Sequence, residues 1–122
     1  MVREIRSPSE LNEYLSNNRI VLIAITKRGS SIENYVKRLM EKFEERAGHV
    51  ISFAFAYVDD IANALDSKSI THAEKKVLIR LYVDGEIELE QYDLFEQLSL
   101  DLEVLRRSVK NILRKHSIKT LF

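Results

Sequence analysis

The sequence predicts an α/β domain in which a central mixed sheet is flanked by helices on both faces. Residues 20–25 are apolar at consecutive positions, which is typical of a strand covered on both sides. An amphipathic helical pattern begins a few residues later, and an Asp-Gly pair at residues 84–85 separates two further strand patterns. These observations predict parallel crossovers in the first part of the chain and an antiparallel hairpin near its end.

The N-terminal part predicts one short strand and one helix. Residues 2–6 fit a strand, and the segment after them carries a strong helix start. Ser7 is the expected N-cap, Pro8 takes the first helical position, and Glu10 completes a capping box. Asn17-Asn18 ends this helix, and the central strand follows.

The main helix is predicted from apolar residues at steps of three and four. This stripe consists of Ile32, Tyr35, Val36, Leu39, Met40 and Phe43. Ser30 and Glu33 also fit a capping box, so we expect the helix to begin at the turn itself. Ala47-Gly48 provides its C-terminal stop.

The middle of the chain predicts a second interior strand and then a polar connection. Residues 50–58 are rich in aromatic and β-branched side chains. Asp59-Asp60 fits the cap of a short helix over residues 61–65. We interpret the polar run at residues 66–74 as a surface loop.

Residues 77–92 predict a hairpin, because Asp84-Gly85 accepts the positive φ angles of a two-residue type I′ turn. Its second strand alternates. Ile87, Leu89 and Gln91 are expected on one face, with Glu86, Glu88 and Glu90 on the other. The three carboxylates predict an edge strand with one face in water.

The last predicted element is a long helix that starts between residues 93 and 99. Its apolar stripe consists of Leu98, Leu102, Leu105, Val109, Ile112 and Leu113. The full order is therefore β-α-β-α-β-α-β-β-α. Residues 1–116 are assigned to a single domain, and residues 117–122 to a C-terminal tail.

Composition excludes several classes of function. The 122 residues contain no cysteine, which removes disulfides, thiol nucleophiles and thiolate metal sites and favours a reducing compartment. The formal net charge is zero, so no global field favours nucleic acid or an anionic membrane. No signal-peptide core or membrane-length apolar run is present. We expect a soluble cytoplasmic protein without metal or cofactor, of thermophile-like composition.

The order, the element lengths and the turn after the second strand resemble the thioredoxin fold from about Val2 to His116. Members of that family carry a Cys-Gly-Pro-Cys-like motif at this turn, where this chain has Arg28-Gly29-Ser30-Ser31. Lys27 stands where an aromatic residue is usual, and Val77 or a neighbour replaces the family's cis-proline. The resemblance implies a redox-inactive relative with a trans bond before Val77. By analogy with the non-catalytic domains of protein disulfide isomerases, it implies a binding or scaffolding role.

The turn is a candidate site for a small anion. Its residues are Lys27, Arg28, Gly29, Ser30 and Ser31. A helix N-terminus offers free N–H donors, glycine allows close approach to the backbone, and the two cations add charge. Without a ligand, Ser30 caps the helix, Gly29 makes the turn and both cations are solvated. We favour this second interpretation. None of the histidines has a spacing that would make it a base for Ser31.

The end of the chain is a candidate partner-binding region. Its residues are Arg106, Arg107, Lys110, Arg114, Lys115, Leu121 and Phe122. The cations fit a solvated helix end favoured by the dipole, an acidic protein partner or, less well, nucleic acid. The apolar end of the tail could fold back onto the domain, dock into another subunit or stay disordered.

We therefore predict a non-catalytic binding module for another macromolecule, with self-association as one option. An enzyme or sensor using the Lys27–Ser31 turn on a small anion is the alternative from another class, and nucleic-acid binding through the basic helix is a further one.

Overall fold

A computed structural model describes all residues from Met1 to Phe122. The strands are β1 (Arg3–Ile5), β2 (Ile20–Thr26), β3 (Ser52–Tyr57), β4 (Leu78–Val83) and β5 (Glu86–Gln91). The helices are α1 (Pro8–Asn17), α2 (Glu33–Ala47), α3 (Val58–Ile61), α4 (Ser67–Lys75) and α5 (Leu98–Lys115), with a 3₁₀ turn at Ala62–Ala64. None of these helices is both long and apolar enough to cross a bilayer.

The five strands form one mixed sheet in the order β1-β3-β2-β4-β5. The β1–β3 and β2–β3 pairs are parallel, whereas β2–β4 and β4–β5 are antiparallel. All peptide bonds are trans, including the one before Val77. The predicted α/β class, with helices on both faces of a mixed sheet, is confirmed.

Every residue of β2 is buried, because both of its faces are covered. Leu22 and Ala24 pack in a cluster of 22 buried residues that includes α2 and α5. Val21 and Ile23 pack in a second cluster of 12 residues that includes α1, α3 and α4. The consecutive apolar pattern in the sequence thus reflects two separate cores that share one strand.

The prediction of a loop at residues 66–74 is wrong, because most of this segment forms α4. Asp66 is the N-cap, and its carboxylate accepts a hydrogen bond from the Ser69 N–H at 2.7 Å. The Ser69 hydroxyl accepts a hydrogen bond from the buried Arg80 guanidinium at 2.9 Å. A polar residue on the buried side of the helix therefore interrupts the apolar periodicity from which a helix is predicted. The preceding short helix also starts earlier than predicted, at Val58.

The predicted start of the main helix is also wrong. The α2 helix begins at Glu33, and its N-cap residue Ile32 makes no side-chain capping bond. The Ser30 hydroxyl has no hydrogen-bond partner, and the Ser30 carbonyl accepts from the Glu33 N–H at 3.3 Å. Glu33 still reaches back, but to the N–H of Gly29 at 2.9 Å. Gly29, with φ of +75°, directs the chain away from the capping geometry.

The hairpin turn is confirmed, since Asp84 and Gly85 have φ angles of 52° and 82°. The predicted alternation along β5 is wrong because a β-bulge shifts the register between Leu81 and Tyr82. Ile87 lies opposite Tyr82 and Leu89 opposite Leu81, so these two apolar side chains face different sides of the sheet. β5 is an edge strand, as predicted.

The C-terminal residues fold back onto their own domain. Ser117 has φ of 58° and reverses the chain, and the Ile118 N–H donates to the Leu113 carbonyl at 2.9 Å. The Phe122 ring then packs edge-on against Phe43, with centroids 5.7 Å apart. Leu121, in contrast, is 78% exposed. Of the alternatives for the tail, the structure shows docking by Phe122.

This packing predicts unequal effects of two neighbouring substitutions. Phe122→Ala removes partly buried aromatic surface from the core, and we expect it to lower the free energy of unfolding by about 1–2 kcal/mol in urea titrations. Leu121→Ala, measured in dilute solution, is the matched control. It should change the free energy of unfolding by less than about 0.5 kcal/mol. Equal losses for both variants would contradict a docked Phe122.

Candidate functional site

Four connecting segments meet at one end of the sheet. Leu78 lies opposite Ile25, and Gln91 lies opposite Ile79, so the end of β2, the end of β5 and the start of β4 share an edge. The parallel pairing of β2 and β3 adds the end of β3. The turn at residues 27–31, the start of α3, Val77 and the segment after β5 therefore lie together, and we call this edge the sheet end.

In the turn, Arg28 and Gly29 already have partners. The Arg28 guanidinium donates to the Asp60 carboxylate at 2.9 Å and lies over the Tyr57 ring, 4.0 Å from its centroid. The Gly29 N–H donates to Glu33. Lys27 and Ser31 are exposed and make no side-chain hydrogen bond or ion pair. The five candidate residues thus lie close in sequence and space, but their main anion-binding groups are largely occupied.

A carboxylate occupies the N-terminus of α2. One oxygen of Glu33 accepts from Tyr57 Oη at 2.9 Å, and Lys37 Nζ contacts the same oxygen at 3.2 Å. Lys37 also donates to Tyr57 Oη at 2.9 Å. The hydrogen bond from the Gly29 N–H is the largest cause that lowers the pKa of Glu33 below its ordinary value, and the hydrogen bond from the Tyr57 hydroxyl is the next. This internal negative charge opposes a second anion at the same place.

Two hydroxyl groups beside this network have no partner. Thr26 is completely buried at the end of β2, and neither its Oγ1 nor the Oγ of Ser30 makes a hydrogen bond. No imidazole is available to them as a base. His49 precedes the start of β3 and therefore lies at the opposite end of the sheet. His72 stacks on Tyr92 with centroids 3.9 Å apart, and His116 contacts Glu88 at 2.5 Å. No group of three or more metal-ligating side chains lies together.

The segment between β5 and α5, residues 92–97, is held by a buried carboxylate. We call this segment the Phe95 loop. Asp101 is completely buried, and its two oxygens accept from the N–H groups of Phe95 and Glu96, each at 2.9 Å. Asp101 also accepts from the Tyr35 hydroxyl of α2. Burial is the main cause that raises the pKa of Tyr35, and this hydrogen bond to Asp101 raises it further.

Lys76 fixes the other side of the Phe95 loop. Its Nζ lies 2.5 Å from the Asp93 carboxylate, 3.0 Å from the Leu94 carbonyl oxygen and 3.5 Å from Glu96. The ammonium group lowers the pKa of Asp93. Leu94 inserts into the core and is only 5% exposed. The loop therefore has defined contacts on both sides.

The Phe95 loop presents apolar side chains to solvent. Phe95 is 67% exposed, Tyr92 is 38% exposed, and Leu100 in the first turn of α5 is 41% exposed. These are three of the six large hydrophobic side chains that the chain exposes, and all lie within nine residues of sequence. Tyr92 stacks on His72 of α4, which leaves Phe95 as the most exposed aromatic side chain of the loop and a candidate contact for a partner.

Sequence reasoning missed this surface, although one signal was present. Asp101 lies three residues after Leu98 and four before Leu105. This spacing places it on the buried face of the helix, within the predicted apolar stripe. A carboxylate at such a position requires several hydrogen-bond donors nearby. Reading it in that way would have predicted an ordered loop before the helix.

The predicted basic residues of α5 separate into two groups. Arg106 and Arg107 both contact Glu103, at 2.7 and 2.9 Å, and these arginines lower the pKa of Glu103 to about 2. Arg106 and Lys110 also donate to the carbonyl oxygen of Phe122, at 3.3 and 3.1 Å. The remaining cations, Arg114 and Lys115, are exposed and make no ion pair.

Comparison with known proteins identifies the fold. No protein-family model and no curated protein matches this sequence. Among solved structures, a thioredoxin from Plasmodium falciparum superposes with a TM-score of 0.72 at 14% identity, covering 90% of this chain and 98% of that one. A mutant thioredoxin from Halobacterium salinarum gives 0.71 at 18% identity, covering 90% and 88%. Thioredoxin from Malassezia sympodialis gives 0.69 at 13% identity, covering 91% and 90%. The chain has a thioredoxin-like fold, and it contains no cysteine for disulfide exchange.

The contacts of Glu33 predict a pH-dependent contribution to stability. We expect Glu33→Gln to lower the free energy of unfolding by about 1 kcal/mol at pH 7, since charged hydrogen bonds are lost. A carboxylate whose folded pKa lies below its unfolded value of 4.5 stabilises the fold above that pH, and its contribution disappears as the pH falls through the folded pKa.

Urea titrations of wild type and Glu33→Gln at pH 7 and pH 3 test this. The difference between the two proteins should shrink at the lower pH. Glu45→Gln, an exposed carboxylate of the same helix, is the control and should have little effect at either pH. A difference for Glu33→Gln that stays constant with pH would contradict the assigned network.

The role of Asp101 is tested with Asp101→Asn. An amide group presents donors where the site needs an acceptor, so we expect a loss of about 1.5–3 kcal/mol and faster hydrogen exchange at the Phe95 and Glu96 amides. Tyr35→Phe removes one hydrogen bond and leaves both backbone bonds in place. It should destabilise less and leave these two exchange rates largely unchanged. Equal exchange in all three proteins would show that Asp101 does not hold the loop.

Proposed function

We propose that this chain is a non-catalytic thioredoxin-fold module that binds another protein through the Phe95 loop. The observation that supports this most is the 67% exposure of Phe95 on a backbone held by the buried Asp101. Aromatic residues dominate the energetics of protein interfaces. An anchor already held in place loses little conformational entropy on binding.

The energetics of the Phe95 loop support a binding role over a purely structural one. Keeping the carboxylate of Asp101 out of water costs free energy, which its three hydrogen bonds offset. Yet the arrangement leaves Phe95 in solvent, where the exposed ring gains nothing for folding. A binding partner that covers the ring accounts for an ordered loop around an exposed aromatic side chain.

The absence of catalytic groups agrees with this proposal. The chain has no thiol, and the hydroxyls of the turn have no histidine beside them. The lack of cysteine also fits a reducing compartment such as the cytoplasm, where we place the protein.

The two other functions have weaker support. A small anion at Lys27–Ser31 would meet the carboxylate of Glu33, which already accepts from the Gly29 N–H. Nucleic acid would find only Arg114 and Lys115 free at the end of α5, on a chain whose net charge is zero. Thermal-shift assays with nucleotides, phosphosugars and carboxylates discriminate a ligand-binding enzyme from a protein-binding module.

The proposal is tested by placing a photo-crosslinking phenylalanine analogue at position 95. After irradiation in a lysate of the source organism, we expect discrete crosslinked protein species. The same label at Asn12, an exposed residue on the opposite side of the sheet, is the control and should give none of them. Identical products from both positions, or no product from position 95, would contradict binding through the loop.

A further inference from the structure

We propose that the partner of the Phe95 loop is a second copy of this chain, and that two copies associate through antiparallel α5 helices. This inference rests on the proposed function, because it uses the same loop. The distribution of charge along α5 and its flanking segments fits a second copy as the occupant of this surface.

Charge is segregated between the two ends of α5. Asp93 and Glu96 precede the helix, with side chains 79% and 57% exposed, and Lys76 is the only cation in contact with them. Beyond Glu103 the chain contains no Asp or Glu. The lysines and arginines in this part are Arg106, Arg107, Lys110, Arg114, Lys115 and Lys119. The end near the Phe95 loop is therefore acidic. The other end is basic, although Glu88 of β5 contacts His116 there.

The acidic end also carries two exposed apolar side chains, Phe95 and Leu100. Leu121 is exposed as well, but it lies beside the middle of α5, because Arg106 and Lys110 bind the main-chain oxygen of Phe122. The acidic end is thus complementary in charge to the basic end of the same chain. Because α5 has 18 residues, the two ends are about 27 Å apart, too far to meet within one molecule.

An antiparallel arrangement brings the two surfaces together twice. The exposed residues Leu100, Arg107, Asn111 and Arg114 recur at helical steps and form one outward stripe of α5. A two-fold axis at Arg107, the midpoint of this stripe, places Leu100 of each copy near Arg114 of the other. The Phe95 loop then faces the basic end, and the helix dipoles oppose each other favourably.

The centre of this interface does not create a repulsive pair of free charges. Arg107 is held by Glu103 at 2.9 Å, so each copy contributes an ion pair at the axis. The zero net charge of the chain also removes the general repulsion between copies.

Sedimentation equilibrium of the full chain over a range of concentrations tests the proposal with complementary charge variants. The wild-type chain should approach twice its 14.2 kDa mass as concentration rises. Glu96→Lys places like charges at both contacts of the dimer, and so does Arg114→Glu with Lys115→Glu. Each variant alone should raise the dissociation constant at least about tenfold.

Mixing the two variants provides the decisive measurement. In a mixed dimer, the lysine introduced at position 96 meets the two glutamates introduced at positions 114 and 115 of the other copy, while the second contact keeps its native charges. We expect the mixture to recover association close to wild type. Glu13→Lys, the same charge change on α1, is the matched control and should leave association unchanged. Circular dichroism confirms that each variant is folded.

The outcomes separate this inference from the proposed function. A wild-type chain that stays at 14.2 kDa at every concentration overturns self-association, as does a mixture that fails to recover. Masses above a dimer overturn the two-fold arrangement. If the chain stays monomeric while the probe at position 95 crosslinks a different protein, the binding function stands without self-association. If that probe crosslinks nothing, both proposals fail.

Discussion

The fold depends on the burial of β2 from both sides. Its alternate residues enter two separate cores, so helices must cover both faces of the sheet. The crossover through α2 covers one face and connects β2 to β3, and these two strands pair in parallel. That topology brings the segments after β2, β3 and β5 to one edge. The candidate surfaces of the molecule are therefore consequences of where the central strand lies.

The sequence predicted the elements whose pattern is local. The apolar run of β2, the stripe of α2 and the Asp84-Gly85 turn each follow from backbone periodicity or φ preference. It did not predict elements whose pattern is completed by distant residues. The α4 helix has Ser69 on its buried side because Arg80 of β4 reaches it, and the bulge in β5 depends on pairing with β4. These partners lie on another element of the structure, so no periodicity within α4 or β5 reveals them.

The same limit applies to the candidate site. The turn at residues 27–31 was found because it occupies a known position of the thioredoxin pattern, but its contacts with Asp60 and Tyr57 depend on tertiary structure. The exposure of Phe95 was not predictable, since the sequence around it resembles an ordinary connection. Only Asp101, a carboxylate within an apolar stripe, carried a usable signal.

The turn and the Phe95 loop differ in what they leave exposed at the sheet end. At the turn, two of the groups that could bind an anion are occupied, because the Gly29 N–H donates to Glu33 and the Arg28 guanidinium donates to Asp60. At the Phe95 loop the polar groups are bound as well, to Asp101 and Lys76, but the apolar ring of Phe95 is left in water. Unmatched apolar surface provides the driving force for association. The proposed binding would therefore use the exposed ring of the Phe95 loop, on a thioredoxin-like scaffold that contains no cysteine.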